Sequence, residues 1–295
     1  MRLLITGASG LFGSKLVKTA SAQGIAVYSG YITDVPVCGV PVLFDVSNKE
    51  QVEQAFDFAR PDVVVHAASL TDVDKCELNR ALAWKINVDG AKIIAESAAK
   101  NGSFLVYVST DYVFSGKKGC YKETDLPDPI NYYGLTKLKA EEASLQILPN
   151  CCIARTSVIY GATPAAGKIN FALWLLNKLK NGEKLRIVTD QWVSPTLNSS
   201  LADMVLDIVQ QRLSGVLHLC GASRVSRYDF ALALAKMFSL DASLIEPVLA
   251  SSLNWSARRP MDSSLDVSKA QRLLHVKPLE LTSALTSLKK EMGVP

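Results

Sequence analysis

Through the first 160 residues, short apolar runs alternate with stretches whose apolar positions recur every three or four residues. The runs are "RLLIT", "IAVYSG", "PVLFDV", "DVVVHAAS", "FLVYVST" and "CCIARTSVIYG", and each reads as a strand. "LFGSKLVKTASAQG", "NKEQVEQAFDFAR" and "NRALAWKINVDGAKIIAESAAKNG" between them read as helices, the first stopping at Gly24 and the third at Asn101-Gly102. Strands apolar on both faces and separated by helices predict a Rossmann-type, doubly wound α/β fold with a parallel sheet.

After Gly161 the alternation loosens. "INFALWLLNKLKNG", "NSSLADMVLDIVQQRL", "RYDFALALAKMFSL" and the tail segments "DVSKAQRLL" and "LTSALTSLKKEMG" read as helices. "KLRIVTD" and "GVLHLC" read as strands, the second returning to the sheet. The expected division is a sheet domain over residues 1–160 and a smaller ligand-closing lobe over 161–295. Elements of about 197–220 cross back to the sheet.

Composition narrows the function classes. The net charge is +4 with basic residues spread out, so neither a nucleic acid nor a membrane is expected as partner. No apolar run approaches the ~18 residues of a spanning helix, and the apolar start "MRLLITGASG" is too short for a secretory signal. Six cysteines without a C-x-x-C pair, and three histidines, argue against a metal site and for reduced thiols in a cytoplasmic protein.

Chemistry enters at "TGASGLFG", where Gly7, Gly10 and Gly13 follow the first strand and open the first helix. Glycines there allow a tight turn and close approach of backbone to phosphate, and the helix start offers free N–H groups to a pyrophosphate. Residues 1–160 are therefore read as an NAD(P)-binding domain. The turn residues Ser9, Leu11 and Phe12 join the three glycines as cofactor contacts. Asp45 and Val46 after the third strand, and Ala67, Ala68 and Ser69 after the fourth, join them too. The second strand ends in Ser29-Gly30-Tyr31 with no carboxylate, and Asp34 comes several residues late. Small residues leave room for a 2′-phosphate, so NADPH is the expected cofactor and NADH the alternative.

"NYYGLTKLKAEEA" places Tyr133 and Lys137 one turn apart, on a different face from Leu135, Leu138 and Leu145. A ketone reductase needs a proton donor, and a lysine beside a tyrosine is expected to lower the phenol's pKa. Tyr132 has Thr136 four residues on and lacks such a partner. Ser109 and Thr110, at the end of the fifth strand, lie where ligands bind in parallel sheets.

The G-x-x-G-x-x-G spacing together with Tyr-x-x-x-Lys resembles the short-chain dehydrogenases/reductases. The run "STDYVFSGKKGCYKETDLPDPINYYGLTKLKAEE" resembles the dTDP-4-dehydrorhamnose reductase family. So do "TDVDKCE", "RTSVIYG…INFA", "DQWVSPT" and "RRPMDSSLDVSK", in the family's order over nearly the whole chain. The resemblance implies a 4-keto sugar-nucleotide reductase with Thr110, Tyr133 and Lys137 as its catalytic set. It places Asp74, Asp111 and Tyr112 near the substrate, and Arg259 and Pro260 in the substrate lobe. Family members often carry a tryptophan where this chain has Val158; Trp192 or Tyr132 is the candidate to stack on the sugar instead. Two other classes stay open: a sugar-nucleotide epimerase or other enzyme of the extended group, and a regulatory NADP-binding subunit like the β subunit of methionine adenosyltransferase. The expected partner is a small sugar nucleotide, with a homodimer as the candidate assembly.

Overall fold

Strands that are apolar on both faces need cover on both faces, and the chain supplies it by passing repeatedly over its sheet. The computed structural model describes residues 1–165 and 169–294. Its first half runs β1 (Arg2–Thr6), α1 (Leu11–Ala22), β2 (Ala26–Tyr31), β3 (Val40–Leu43), α2 (Lys49–Ala59), β4 (Val63–His66), α3 (Val73–Leu78), α4 (Arg80–Trp84), α5 (Gly90–Lys100), β5 (Phe104–Thr110), α6 (Tyr132–Ile147) and β6 (Cys152–Thr156). Its second half runs β7 (Ile159–Tyr160), α7 (Phe171–Lys180), β8 (Leu185–Val188), β9 (Trp192–Val193), β10 (Thr196–Leu197), α8 (Asn198–Gln211), β11 (Gly215–His218), β12 (Val225–Ser226), α9 (Arg227–Met237), β13 (Ile245–Val248), α10 (Ser268–Leu273) and α11 (Leu281–Glu291).

The central sheet has seven strands in the order β11-β6-β5-β4-β1-β2-β3, and its pairs are parallel. The order reverses direction beside β1, which is where doubly wound sheets open a ligand crevice. Alternate residues of each strand serve opposite cores. Leu3, Ile5, Val63 and Val65 pack with Leu16 of α1 and Leu201 and Val205 of α8. Leu4, Val64 and Leu105 pack with Val52 and Phe56 of α2 and Ile94 of α5. A third core, built on Tyr160, Leu175, Leu176, Phe230, Leu234 and Leu285, belongs to the second lobe.

Three local readings need correction. "CCIARTSVIYG" is not one strand. β6 ends at Thr156, Val158 takes a φ of +33°, and β7 pairs with β10 outside the main sheet. A positive φ turns the chain out of the extended path, and Thr196 pins the turn by donating from its amide to the Val158 carbonyl at 3.1 Å. The long helix expected over 79–102 is continuous but bulged. Between α4 and α5 it passes through a π turn over Lys85–Asp89, and the buried Asn87 in that turn ties Ser69 and Leu70 to Thr136. Finally, α6 buries its polar face. Gly134, Thr136, Lys137, Ala140, Glu141 and Ser144 are buried, while Leu135, Leu138 and Leu145 are only half-buried.

Candidate functional site

A cleft of about 740 Å³ runs along the carboxyl ends of β1, β2, β4, β5 and β6. The glycine turn forms one end. Gly7 takes a φ of +66°, and a Cβ on it would meet the Ala68 backbone at 2.9 Å. A Cβ on Gly13 would come 2.1 Å from the Gly7 carbonyl, so helix and turn touch through that glycine. Gly10 differs, because a Cβ there would meet only the Gly7 carbonyl, at 3.1 Å. Gly10 begins α1, and no side chain caps the helix start and no acid sits in its first turn. Uncapped N–H groups and an open face over Gly10 make a fitting cradle for a diphosphate.

The wall continues through Ser9, Leu11 and Phe12, then Asp45 and Val46, then Ala67, Ala68 and Ser69. Thr6 sets the Ala67-Ala68 turn by accepting from both amides at 3.1 Å. Asp45 serves two roles at once: it faces the cleft and accepts from the Ser47 amide and hydroxyl at 2.8 and 2.9 Å. The exposed Asp34 also lines the cleft, beside Thr33, despite its lateness in sequence.

The middle of the cleft holds Thr110, Tyr133 and Lys137 together. Asn131 starts α6 by accepting from the Gly134 amide at 2.8 Å, and its side-chain amide donates to the Arg258 carbonyl at 2.9 Å. That fixes Tyr133 in the first turn of the helix. Burial pushes the Tyr133 phenol above its usual range, and a hydrogen bond with Thr110 opposes the rise. Lys137 donates to the Val108 carbonyl at 2.7 Å and stands 4.2 Å over the Tyr107 ring. Burial brings its ammonium down to about 7, with Glu141 opposing. Glu141 is itself spent on Arg155 at 2.6 Å and accepts from the Ser109 hydroxyl.

Asp111 and Tyr112 line the same wall. Asp111 is buried and accepts from Thr110 at 3.0 Å, Ser157 at 2.8 Å and Ser263 at 2.5 Å. Burial raises its pKa despite those three donors. Tyr112 lies edge-on to Tyr133, with ring centres 6.0 Å apart. Val158 is also on the wall.

Four expected substrate residues do not line this cleft. Asp74 and Arg259 pair with each other at 2.8 Å, and Asp74 also accepts from the Ala257 amide. The Tyr132 ring lies under Arg80 at 5.0 Å. The Trp192 ring lies under Arg224 at 4.1 Å. Among the polar groups that reach the cleft and that sequence reasoning missed are Asn170 and Arg227. Both sit at helix starts readable in sequence: Asn170 caps α7, and Arg227 follows Ser226 in a capping box with Asp229. Which helix start would face the cleft depends on how the lobe folds over the sheet, and no local pattern carries that.

The family model described as RmlD substrate binding domain matches residues 1–294. A dTDP-4-dehydrorhamnose reductase of Aggregatibacter actinomycetemcomitans is 33% identical, with 98% of each chain covered. Methionine adenosyltransferase 2 subunit beta of Bos taurus is 31% identical, covering 92% of this chain and 82% of that one. The structure of dTDP-4-dehydrorhamnose reductase from Bacillus anthracis in complex with NADP superposes with a TM-score of 0.88 at 29% identity, covering 98% and 99% of the two chains.

Proposed function

The chain belongs to the RmlD substrate binding domain family, and from that membership we propose that it is an NADPH-dependent oxidoreductase reducing the 4-keto group of a sugar nucleotide, as the similar dTDP-4-dehydrorhamnose reductases are named to do. One observation carries the reading: Thr110, Tyr133 and Lys137 meet in the cleft that the glycine turn opens.

Gly7, Ser9, Gly10, Leu11, Phe12 and Gly13 would hold the cofactor diphosphate. Asp45 and Val46 would lie toward the adenosine, and Ala67, Ala68 and Ser69 along its path. Bound nicotinamide supplies the hydride for the keto carbon. Tyr133 supplies the proton to the keto oxygen, its phenol being protonated at neutral pH. Thr110 stands on the same stretch of the cleft wall as that phenol and would orient the keto oxygen. Lys137 brings its ammonium to the same stretch of the cleft and would reach the nicotinamide ribose. Asp111, Tyr112 and Val158 border the sugar. NADPH is the expected donor and NADH the alternative; Asp34 on the wall is the group that would oppose a 2′-phosphate.

A cytoplasmic homodimer belongs to the same proposal. No helix among the described residues is long and apolar enough to cross a membrane, and the six cysteines are free, as in a reducing compartment. Exposed Leu78, Leu82 and Trp84 offer a second copy an apolar surface.

The test is NADPH oxidation by the purified protein against 4-keto dTDP-, GDP- and UDP-sugars, with two variants. Tyr133→Phe keeps the ring and removes the proton, so turnover should fall by roughly two to four orders of magnitude with NADPH affinity retained. Tyr132→Phe should leave turnover near the parent value, because its ring packs under Arg80 away from the cleft. Full activity in Tyr133→Phe would remove the proposed chemistry. Absence of turnover on every substrate, with NADPH still bound, would turn the reading toward a subunit like the Bos taurus relative.

A further inference from the structure

The cleft wall carries two cationic side chains, Lys137 and Arg227. Lys137 sits among β5 and α6. Arg227 comes from the other lobe, at the first residue of α9. Its neighbours on the wall include Asn170 and Ile169, far along the chain from the glycine turn.

Other arginines of this region are committed to carboxylates. Arg155 holds Glu141 at 2.6 Å, Arg224 holds Asp262 at 2.5 Å and Arg259 holds Asp74 at 2.8 Å. Arg227 forms no ion pair among the described residues. It is nevertheless positioned. Its Nε donates to the Gln191 side-chain oxygen at 3.2 Å, its backbone amide donates to the Gln191 carbonyl at 3.0 Å, and its guanidinium stands 5.0 Å over the Phe171 ring. Gln191 is itself buried. A guanidinium held by Nε and by an aromatic face, with the Tyr112 phenol as its other side-chain partner, carries more terminal N–H groups than these contacts use. Planar guanidinium forks match the paired oxygens of phosphate or carboxylate. The charge also acts on Asp111 and Tyr112, which puts it at the sugar end of the cleft.

We propose that Arg227 receives the anionic oxygen group of the substrate nearest the keto sugar, and that this group is the nucleotide diphosphate. Arg259, which the family resemblance placed in the substrate lobe, is already paired with Asp74. The assignment rests on the sugar-nucleotide reading and adds to it which residue of the second lobe grips the substrate. A carboxylate on the sugar has the same chemistry and is the other source the test must separate.

The experiment uses the full-length protein, Arg227→Gln and Arg227→Lys. Calorimetry with NADP⁺ present measures the affinity of dTDP and UDP, with thymidine and uridine as uncharged controls. NADPH oxidation then gives KM for a turned-over 4-keto sugar nucleotide. The expected result for Arg227→Gln is a loss of about tenfold or more in dTDP or UDP affinity, the scale of one charge-assisted hydrogen bond. Nucleoside and NADPH affinities stay at parent values, and Arg227→Lys recovers part of the loss. A KM increase of that size with unchanged dTDP and UDP affinity would place Arg227 on the sugar and overturn the diphosphate assignment. Unchanged affinity and KM in Arg227→Gln overturn the proposal, and so does equal loss of NADPH affinity. A parent protein that binds NADPH but neither nucleoside diphosphate nor any keto sugar nucleotide fails the sugar-nucleotide reading itself.

Discussion

At Lys137 the number of residues to the tyrosine was visible in sequence and the protonation was not. Spacing alone predicted a lysine that pulls the phenol's pKa down. In the fold Lys137 is buried and Tyr133 half-buried, and desolvation disfavours whichever form is charged. Tyr133 therefore moves up and Lys137 moves down to about 7. The lysine's hydrogen bond goes to the Val108 carbonyl rather than to the phenol. In the proposed mechanism a charged Lys137 would stabilise negative charge developing on Tyr133 during proton transfer, so its loss of charge should slow turnover. The ammonium form dominates below its folded pKa and disappears above it. Reduction should therefore slow as pH rises through about 7, and Lys137→Met should be slower throughout and lack that limb. The check is the pH dependence of kcat in both proteins; a shared profile with equal rates would take Lys137 out of the mechanism. Val158 teaches the same lesson in another way: its identity at the wall was readable, but its φ of +33°, an unusual state for a β-branched residue, is imposed by the tie to Thr196.

Among the elements, α1 with its glycine turn was the most legible, because strand, turn and helix follow each other without a gap. Its three glycines do different jobs, however, and only the fold separates them. A methyl group at Gly13 would meet the Gly7 carbonyl at 2.1 Å, whereas at Gly10 the nearest atom is 3.1 Å away. Gly13→Ala should cost about 1–3 kcal/mol of stability as an overpacking change. Gly10→Ala should leave the melting temperature nearly unchanged and weaken NADPH binding, since the methyl group points where phosphate would approach. Thermal unfolding and an NADPH titration on both variants decide this; a stable Gly13→Ala would mean that turn and helix are not in contact. Helix α6 was the least legible in its orientation. Its leucines suggested the inward face, but the sheet presents Arg155 and Ser109 to it, and Glu141 turns inward to meet them. A buried pair of that kind is invisible to hydrophobic periodicity, because one partner lies on a strand and the other on a helix.

The whole molecule is tied together by alternation between cores. The chain contributes Leu3 to Ala154 to one core, Tyr160 to Ile187 to the lobe, and Leu201 to Leu219 to the first core again. It then gives Phe230 to Ile245 to the lobe, Ala270 and Leu274 to the sheet and Ala284 to Leu288 to the lobe. Ser263 adds a hydrogen bond from the far segment onto Asp111. Neither core is complete without segments on both sides of the other, so unfolding should be a single cooperative transition by circular dichroism and tryptophan fluorescence alike. Two separated transitions would show that the halves stand alone. The alternating pattern of the first 160 residues and the return of "GVLHLC" to the sheet were readable, because each is a local apolar run. "KLRIVTD" was readable too, as β8, but its partner β13 and the two-residue pair β9 and β12 are segments too brief to stand out from their surroundings.

The same interleaving sets a rule for building chimeras. A single crossover near residue 160 would graft a foreign α8 and β11 onto this sheet, and with them the side chains that pack against α1. A transplant of substrate preference from a relative must instead be discontinuous. It would exchange the segments around 161–195, 222–263 and 276–294 together while keeping 196–221 and 264–275 native. The recombination unit of this protein is a set of three inserts in a persistent frame.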